Sequence, residues 1–549
     1  MSATPGGLGS LQEAVEGQLE RLTRERWAER LWARDGSLWS DDSAAQGEIA
    51  FWTGWLDVPR KMLERSEEFE VARREMGSRF DHVVLCGMGG SSLCPEVLRN
   101  TFGKQDGAPE LIVLDSTHPS TVAGVASRIT PGRALFLVAS KSGGTTETLS
   151  HYRYFHQLLR DAQVENAGRY FVAITDEGSG LQKLAEEQDF GHVFLNPPDI
   201  GGRYSALSYF GMVPAALMGL DQGRMLRSAT AMSMSCQESD AGANPGLALG
   251  AVLGVAASSG HDKCTIVCSP RVATLGIWLE QLLAESTGKH GKGIVPVPSE
   301  PVADPGSYGD DRLFVYVRSA GADAAQDAAM KALREAGQPV YNIEVDGPQD
   351  LGAEFMRWEV ATAVAGGIIG INPFDQPNVQ ESKDNTKAVL KSFSATGDFG
   401  VELSAHPDAD VEALIRQVDA GDYFAVLAYT DPTPDVADAL ERLRVAVRDR
   451  FKVATTAGFG PRYLHSTGQL HKGGPNTGVY LILNDDLGDE LPIPGEDHGF
   501  KTLIHAQWIG DLKSLRDHGR RVAAMPLGSD RVATIDALVQ RVTAGAPTA

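Results

Sequence analysis

The stretch ALFLVASKSGGTTET, from Ala134 to Thr148, decides the fold. Its first six residues are all apolar, which is typical of a buried strand, and a polar segment with two glycines follows directly. The glycines at 143 and 144 predict a tight turn, and we expect a helix to begin near Thr145. Strand, turn and helix in this order bring free backbone N–H groups and hydroxyls to one point. Such a point suits a bound phosphate.

The hydroxyls of Ser140, Ser142 and Thr145 and the backbone N–H of Lys141 are the candidate phosphate donors in this turn. We assign no chemistry to the Lys141 ammonium group. Glu147 falls in the first turn of the expected helix, where a carboxylate stabilises the helix dipole.

On both sides of this stretch, short apolar strands alternate with helical segments, which predicts parallel sheets covered by helices. We expect an α/β protein with an N-terminal helical segment over 1–78. Two sheet domains follow over 79–245 and 246–391, and an α/β extension covers 392–549. In the extension we predict strands at YFAVLAY (423–429), GVYLILND (478–485) and KTLIHAQW (501–508).

Composition excludes several classes of protein. A formal net charge of −22 over 549 residues disfavours nucleic-acid binding, which needs a basic face. The five cysteines lie mostly in apolar runs, so we expect reduced thiols and a cytoplasmic location. We find no signal-peptide pattern, and the apolar-rich stretch 361–371 is too short to cross a bilayer. We find no zinc or calcium motif, and we expect neither a metal nor a cofactor.

A second glycine turn, GMGGSS at 87–92, also follows a strand and opens a helix. Three interpretations stay open: a nicotinamide or flavin site, a turn required only for packing, and a second wall of the phosphate site. The first lacks the third glycine of the dinucleotide motif, because Ser92 stands in its place. Two turns of similar composition on neighbouring strands favour the third interpretation.

SKSGGTTET resembles the sugar-phosphate signature of sugar isomerase (SIS) domains, and the lysine after its first serine is typical of phosphoglucose isomerases. Four other segments fit that family: GMGGS (87–91), GGRYS (201–205), EQLLAESTGK (280–289) and NPFDQPNVQESK (372–383). The resemblance covers about residues 80 to 390. The layout is most similar to the isomerase half of fused transaldolase/phosphoglucose isomerase proteins.

This resemblance implies two SIS domains and the interconversion of glucose 6-phosphate and fructose 6-phosphate through ring opening and an enediol intermediate. A broader isomerase that also accepts mannose 6-phosphate is one alternative. A sugar-phosphate sensor without catalysis is another, although such sensors carry a basic DNA-binding module that we do not find here.

The resemblance also implies roles for single residues. Glu285 is the base that moves the proton between C1 and C2, and Arg203 faces the charge of the enediolate. Lys383 moves protons at the ring oxygen. The remaining expected substrate contacts are Gly90, Ser91, Glu147 and Gln376. For Arg203 a salt bridge to the nearby Asp199 is the alternative, and for Glu285 an exposed position at a helix end.

The family histidine is displaced in this sequence. Shorter bacterial members carry it in a segment like LHSMGQ between the glutamate and lysine motifs, but residues 300–370 contain no histidine. LHSTGQ appears instead at 464–469, so we interpret His465 as the ring-opening group in a rearranged segment order. The alternative is a coincidental match, which leaves ring opening to Lys383 or another group.

Family members complete each site with a histidine from the neighbouring chain, so the resemblance implies a homodimer with its active sites at the subunit interface. The likeness to fused proteins implies a functional association with transaldolase.

Overall fold

The structure, a computed structural model, describes residues 7–77, 79–321, 323–485 and 488–544. Before the first sheet the chain forms five helices: α1 (Gln12–Arg24), α2 (Trp27–Trp32), α3 (Ser43–Phe51), α4 (Val58–Glu64) and α5 (Ser66–Ala72). Their apolar side chains, among them the fully buried Leu22 and Trp55, join the core formed with the first two sheets. Residues 1–6 and 78 of the expected helical segment lie outside the described residues.

The first sheet has five parallel strands, β1 (His82–Gly87), β2 (Glu110–Leu114), β3 (Ala134–Ala139), β4 (Phe171–Asp176) and β5 (His192–Asn196). The connecting helices are α6 (Leu93–Phe102), α7 (Pro119–Arg128), α8 (Thr146–Asp161) and α9 (Gly180–Glu187). The strand order is β2-β1-β3-β4-β5, so the connection reverses between β1 and β3. Ligands bind at such a reversal in open parallel sheets, and both glycine turns leave the sheet there.

The second sheet follows α10 (Tyr209–Leu217), α11 (Gln222–Ser235) and α12 (Pro245–Ser258). It contains β6 (Lys263–Cys268), β7 (Val295–Pro298), β8 (Arg312–Ser319) and β9 (Val340–Val345) in the order β7-β6-β8-β9. Its helices are α13 (Leu275–Thr287), α14 (Ala324–Glu335) and α15 (Leu351–Ile369).

Helices α12 and α15 pack closely because α12 carries glycines at the contact. A Cβ at Gly250 would lie 2.6 Å from Val364 Cβ, and one at Gly254 would lie 2.7 Å from Ile368 Cβ. The apolar stretch 361–371 therefore belongs mainly to a helix buried inside the protein. In the part of the chain that the structure describes, no helix has the length and hydropathy to span a membrane.

The C-terminal extension contains a third parallel sheet with its own core. After α16 (Pro377–Thr396) and α17 (Pro407–Ile415), its elements in chain order are β10 (Tyr423–Tyr429), α18 (Pro434–Phe451), β11 (Ala454–Phe459), α19 (Gly468–Gly473), β12 (Gly478–Asn484), α20 (Phe500–Asp517), β13 (Arg521–Pro526) and α21 (Arg531–Ala544). The order β11-β10-β12-β13 repeats the order of the second sheet.

One predicted strand of the extension is wrong. KTLIHAQW at 501–508 lies inside helix α20. Nearly every residue from 500 to 512 is buried, so the helix is apolar on almost all sides. A continuous apolar run of this kind has no polar face, and its periodicity cannot distinguish a buried helix from a buried strand.

Candidate active site

Glu285 and Arg203 form a buried ion pair. Glu285 lies in the last turn of α13, and Arg203 lies in a short 3-10 turn, Gly202–Tyr204. Arg203 Nη1 is 3.3 Å from Glu285 Oε1, and the two side chains are 1% and 12% exposed. The alternative partner Asp199 is instead 3.7 Å from Arg34 Nη1. The structure therefore places the two residues together, and Glu285 is not an exposed helix-end residue.

The guanidinium of Arg203 is fixed by contacts on all its nitrogens. Nε donates to Ser286 Oγ at 2.7 Å, Nη1 to Gln376 Oε1 at 2.9 Å, and Nη2 to the carbonyl of Pro373 at 2.6 Å. The group is held before any substrate binds, which is what preorganised stabilisation of a developing negative charge requires. Gln376, an expected substrate contact, here orients Arg203.

Lys289 holds the turn that carries Gln376, a role that the sequence motifs did not predict. Its buried Nζ donates to the Asn372 carbonyl at 2.7 Å and to Asp375 Oδ1 at 2.5 Å. Burial, followed by the nearby Arg203 charge, lowers the pKa of Lys289 to about 7, while Asp375 opposes that shift. In the sequence, the signal for this role is the position of Lys289 in the ESTGK segment, four residues after the candidate base.

Gln281 connects Glu285 with the LHSTGQ segment. Its Nε2 donates to Glu285 Oε2 at 2.8 Å and to the backbone carbonyl of His465 at 2.8 Å. Gln281 was missed, although its position four residues before Glu285 puts both side chains on one face of α13.

His465 pairs with Glu147 of the first sheet domain. His465 Nε2 lies 3.0 Å from Glu147 Oε1, which also accepts a hydrogen bond from Gln507 Nε2 at 2.7 Å. Burial by itself raises the pKa of Glu147, but the charge and hydrogen bond of His465 outweigh it and hold that pKa at about 2. Glu147 is thus an acceptor that orients the imidazole, beyond any effect on the helix dipole.

Both partners of this pair belong to the same chain. This contact within one chain supports a site without a histidine from a neighbouring chain, an alternative to the shared site that the resemblance implies. LHSTGQ runs from the segment after β11 into the start of α19, and the contact with Glu147 places it against the first sheet domain. Gln507 was missed because its segment was predicted as a strand, which would not have placed it on a helix face.

Two glycines of the GMGGSS turn, Gly89 and Gly90, permit this assembly. A Cβ at Gly90 would lie 2.0 Å from the carbonyl oxygen of Gly202, beside Arg203. One at Gly89, whose φ is +53°, would lie 2.6 Å from the carbonyl oxygen of His465. This turn therefore fits closely against the Arg203 and His465 segments. The buried Ser91 ends it.

The SKSGGTTET turn has the geometry of an anion site. Ser140 Oγ and Thr145 Oγ1 are 2.9 Å apart, and Thr145 precedes the first residue of α8, whose N-terminal N–H groups are free for a ligand. Ser142 is exposed, and Gly143 has φ +69° with Leu181 N only 2.4 Å from a Cβ position. The Lys141 ammonium pairs with Asp176, which keeps it in a structural contact.

Lys383 lies on the His465 side of the site. A cavity of about 60 Å³ is lined by Lys383, Glu147, His465 and Gln507, together with residues of α16 and α20. Of the twelve expected site residues, the structure thus gathers Arg203, Glu285 and Gln376 in one cluster, and Glu147, His465 and Lys383 in another. Gln281 joins the two clusters, and the remaining six belong to the two turns.

The chain is similar to known proteins over about two thirds of its length. The family model described as phosphoglucose isomerase matches residues 53–295. A glucose-6-phosphate isomerase of Rubrobacter xylanophilus is 30% identical over 427 residues, which covers 68% of this chain and 95% of the relative.

Solved structures give the same result for the fold. A hypothetical protein of Thermus thermophilus matches with a TM-score of 0.59 and 26% identity, over 68% of this chain and 96% of that protein. A glucose-6-phosphate isomerase of Chlamydia trachomatis matches with a TM-score of 0.53 and 19% identity, over 70% of this chain and 80% of that one. The solved structures agree in fold, and the identity and coverage of the Rubrobacter relative establish that the chain belongs to the phosphoglucose isomerase family.

Proposed function

We propose that this protein interconverts glucose 6-phosphate and fructose 6-phosphate. The observation that carries the proposal is the Gln281 side chain, which contacts both Glu285 and the His465 segment. It holds a candidate base and a candidate ring-opening group beside one fixed guanidinium. A sugar-phosphate sensor needs no such set.

The phosphate binds at the two turns, where Ser91, Ser140, Ser142 and Thr145 and the backbone N–H groups of Gly90 and Lys141 supply donors. This contact is equally strong in the ground state and in the transition state, so it holds the sugar without lowering the barrier. It leaves the reacting end of the sugar to the Glu285 and His465 clusters.

Ring opening requires a proton at the ring oxygen and the loss of one from the anomeric hydroxyl. We assign these transfers to His465 and Lys383, which line the same cavity. Glu147 accepts from the imidazole and fixes its orientation, and histidine suits proton transfer near neutral pH.

Isomerisation of the open chain needs one base. Glu285 removes the proton from C2 of the aldose, and the electron pair forms an enediolate. A proton passes from O2 to O1, and the same carboxyl returns the first proton to C1. The fixed Arg203 stabilises the negative charge on the enediolate oxygens, a contribution of about 3 to 4 kcal/mol for one preorganised group. General-base catalysis adds about two to four orders of magnitude in rate.

A coupled assay tests the proposal directly. The purified protein is given fructose 6-phosphate, and glucose-6-phosphate dehydrogenase reports the glucose 6-phosphate that forms. We expect turnover that disappears in Arg203→Ala. Absence of turnover in the wild-type protein would contradict the proposal, and a parallel assay with mannose 6-phosphate shows whether the broader specificity applies.

We also propose that each active site is complete within one chain, because His465 and Glu147 belong to the same chain. Mixing inactive His465→Ala and Glu285→Gln proteins tests this. Sites shared across a dimer would restore up to roughly a quarter of wild-type activity through mixed dimers. Single-chain sites restore none, so recovered activity would contradict the proposal. Homodimerisation itself, and an association with transaldolase, stay predictions from the resemblance.

The domain division and the location are proposals of the same kind. Three sheets, over 82–196, 263–345 and 423–526, support one sheet in each of the domains 79–245, 246–391 and 392–549. Five free cysteines, four of them buried, support the cytoplasmic prediction.

A further inference from the structure

A cavity of about 500 Å³ lies in the third sheet domain, apart from the candidate active site. Helices α17 and α20 form its sides, and the edge strand β13 runs along it. None of its lining residues belongs to the clusters around Glu285 or His465. The cavity is therefore separate from the candidate active site.

Uncompensated positive charge is the first feature of this cavity. Arg516, Arg520 and Arg521 line it, with Asp410 as the single acid. Arg521 is neutralised by Asp422, with both nitrogen–oxygen distances at 2.7 Å. Within residues 7–77, 79–321, 323–485 and 488–544, neither Arg516 nor Arg520 has a carboxylate partner.

The contacts of these two arginines are all with neutral groups. Arg520 donates to the carbonyl of Gly474 at 2.8 Å and to Asn476 Oδ1 at 3.1 Å, and Arg516 reaches only a backbone carbonyl at 3.4 Å. In a chain with 72 acidic side chains, two guanidinium groups at one cavity without a carboxylate partner favour an anionic ligand.

An apolar wall is the second feature. The buried side chains of Leu414, Trp508 and Leu512 line the cavity, and Leu403 at its edge is 47% exposed. Val522 and Ala524 of the edge strand complete this wall. A ligand that satisfies both features has an apolar body and an anionic head.

The cavity is connected to the active site through two helices. Arg520 binds the carbonyls of Lys472 and Gly474 at the end of α19, the helix that directly follows His465. Gln469 of α19 donates to the Gly288 carbonyl at 2.9 Å, three residues after Glu285. Helix α20 places Trp508 at the cavity and the neighbouring Gln507 against Glu147.

We propose that this cavity is a regulatory site for an amphiphilic anion, a carboxylate or phosphate ester with an apolar body. The bound anion attracts the guanidinium of Arg520. This movement shifts α19 and α20, and with them the orientation of His465. Coupling of this kind is reciprocal, so the anion and the sugar phosphate change each other's affinity by the same factor. The coupling, unlike the binding, rests on the proposed isomerase function.

Anilinonaphthalene sulfonate, an apolar ring system with one anionic group, is a suitable probe, and its fluorescence rises on binding. We expect saturable binding to the wild-type protein. Arg516→Gln removes one exposed charge and weakens binding about threefold to tenfold. Ala413→Trp fills the cavity from an exposed position of α17 and weakens binding by about tenfold or more.

The control positions lie outside the cavity lining, Ala409 on α17 and Arg416 directly after it. Arg416→Gln removes an exposed arginine, and Ala409→Trp adds an exposed indole; both leave probe affinity within about twofold of wild type. A saturating probe also changes the KM for fructose 6-phosphate by at least about twofold in wild type but not in Ala413→Trp.

The proposal is overturned by any of three results: no saturable binding, equal weakening in the controls, or a KM that the probe does not change. The fluorescence titrations need no enzyme activity. A wild-type protein without isomerase activity would therefore contradict the proposed function, while the titrations still decide whether the cavity binds the anion.

Discussion

Replacing Glu285 with glutamine removes the candidate base while keeping its shape. Arg203 stays in place, because its contacts with Ser286, Gln376 and the Pro373 carbonyl do not involve Glu285. The new amide oxygen can still accept the hydrogen bond from Gln281. Substrate binding is therefore retained, and the loss is limited to proton transfer.

The expected magnitude follows from this separation. General-base catalysis contributes about 10² to 10⁴ in rate, or about 3 to 5 kcal/mol of barrier. We expect kcat for fructose 6-phosphate in the dehydrogenase-coupled assay to fall at least about a hundredfold, with KM within about threefold of wild type.

Glu280→Gln is the matched control. Glu280 lies five residues earlier on α13, and its carboxyl accepts a hydrogen bond from Ser466 Oγ at 3.3 Å. Burial raises the pKa of Glu280 to about 7, so a neutral side chain is a close substitute there. Its kcat should stay within about threefold of wild type. Retention of more than about a tenth of wild-type turnover by Glu285→Gln would refute Glu285 as the base, as would an equal loss in the control.

Three further predictions concern the turn, the histidine and a buried imidazole. Ser140→Ala combined with Thr145→Ala should raise KM by about tenfold or more with kcat nearly unchanged, because phosphate contacts act on ground and transition states alike. Unchanged calorimetric affinity for 6-phosphogluconate would place the phosphate elsewhere. His465→Ala should slow turnover of cyclic substrate far more than deuterium exchange at C2 of an open-chain analogue, and equal effects on both would contradict its ring-opening role. Burial lowers the pKa of His151 from its usual 6.5 to about 4, so between these values the unfolded chain binds a proton that the folded chain does not. Urea titration should therefore show the free energy of unfolding falling from pH 7 to pH 5 by about 2 kcal/mol more in wild type than in His151→Gln. An equal fall in the two proteins would contradict the lowered pKa of His151.

Local patterns in the sequence were sufficient for much of the fold. Strand β3 has the bounds that its apolar run predicts, and α8 begins one residue after Thr145. Glycine turns and buried strands depend on backbone dihedrals and on the burial of adjacent side chains, and both are encoded within a few residues. The roles of Arg203, Glu285 and Lys383 were predicted in another way, from the resemblance of short, ordered segments to one family.

The partners of these residues were decided by tertiary structure alone. Glu147 and His465 are separated by 318 positions, and Gln507 reaches Glu147 across 360. Nothing in LHSTGQ states which other segment it will contact. The packing of the third sheet against the first domain determines that, since contacts between distant elements arise from complementary surfaces and leave no periodicity in either segment. Helix α20 and the cavity of the third sheet domain could not be predicted from the sequence for the same reason. An apolar run shows that a segment is buried, but only its neighbours determine whether it becomes a helix and which side chains it presents to a site.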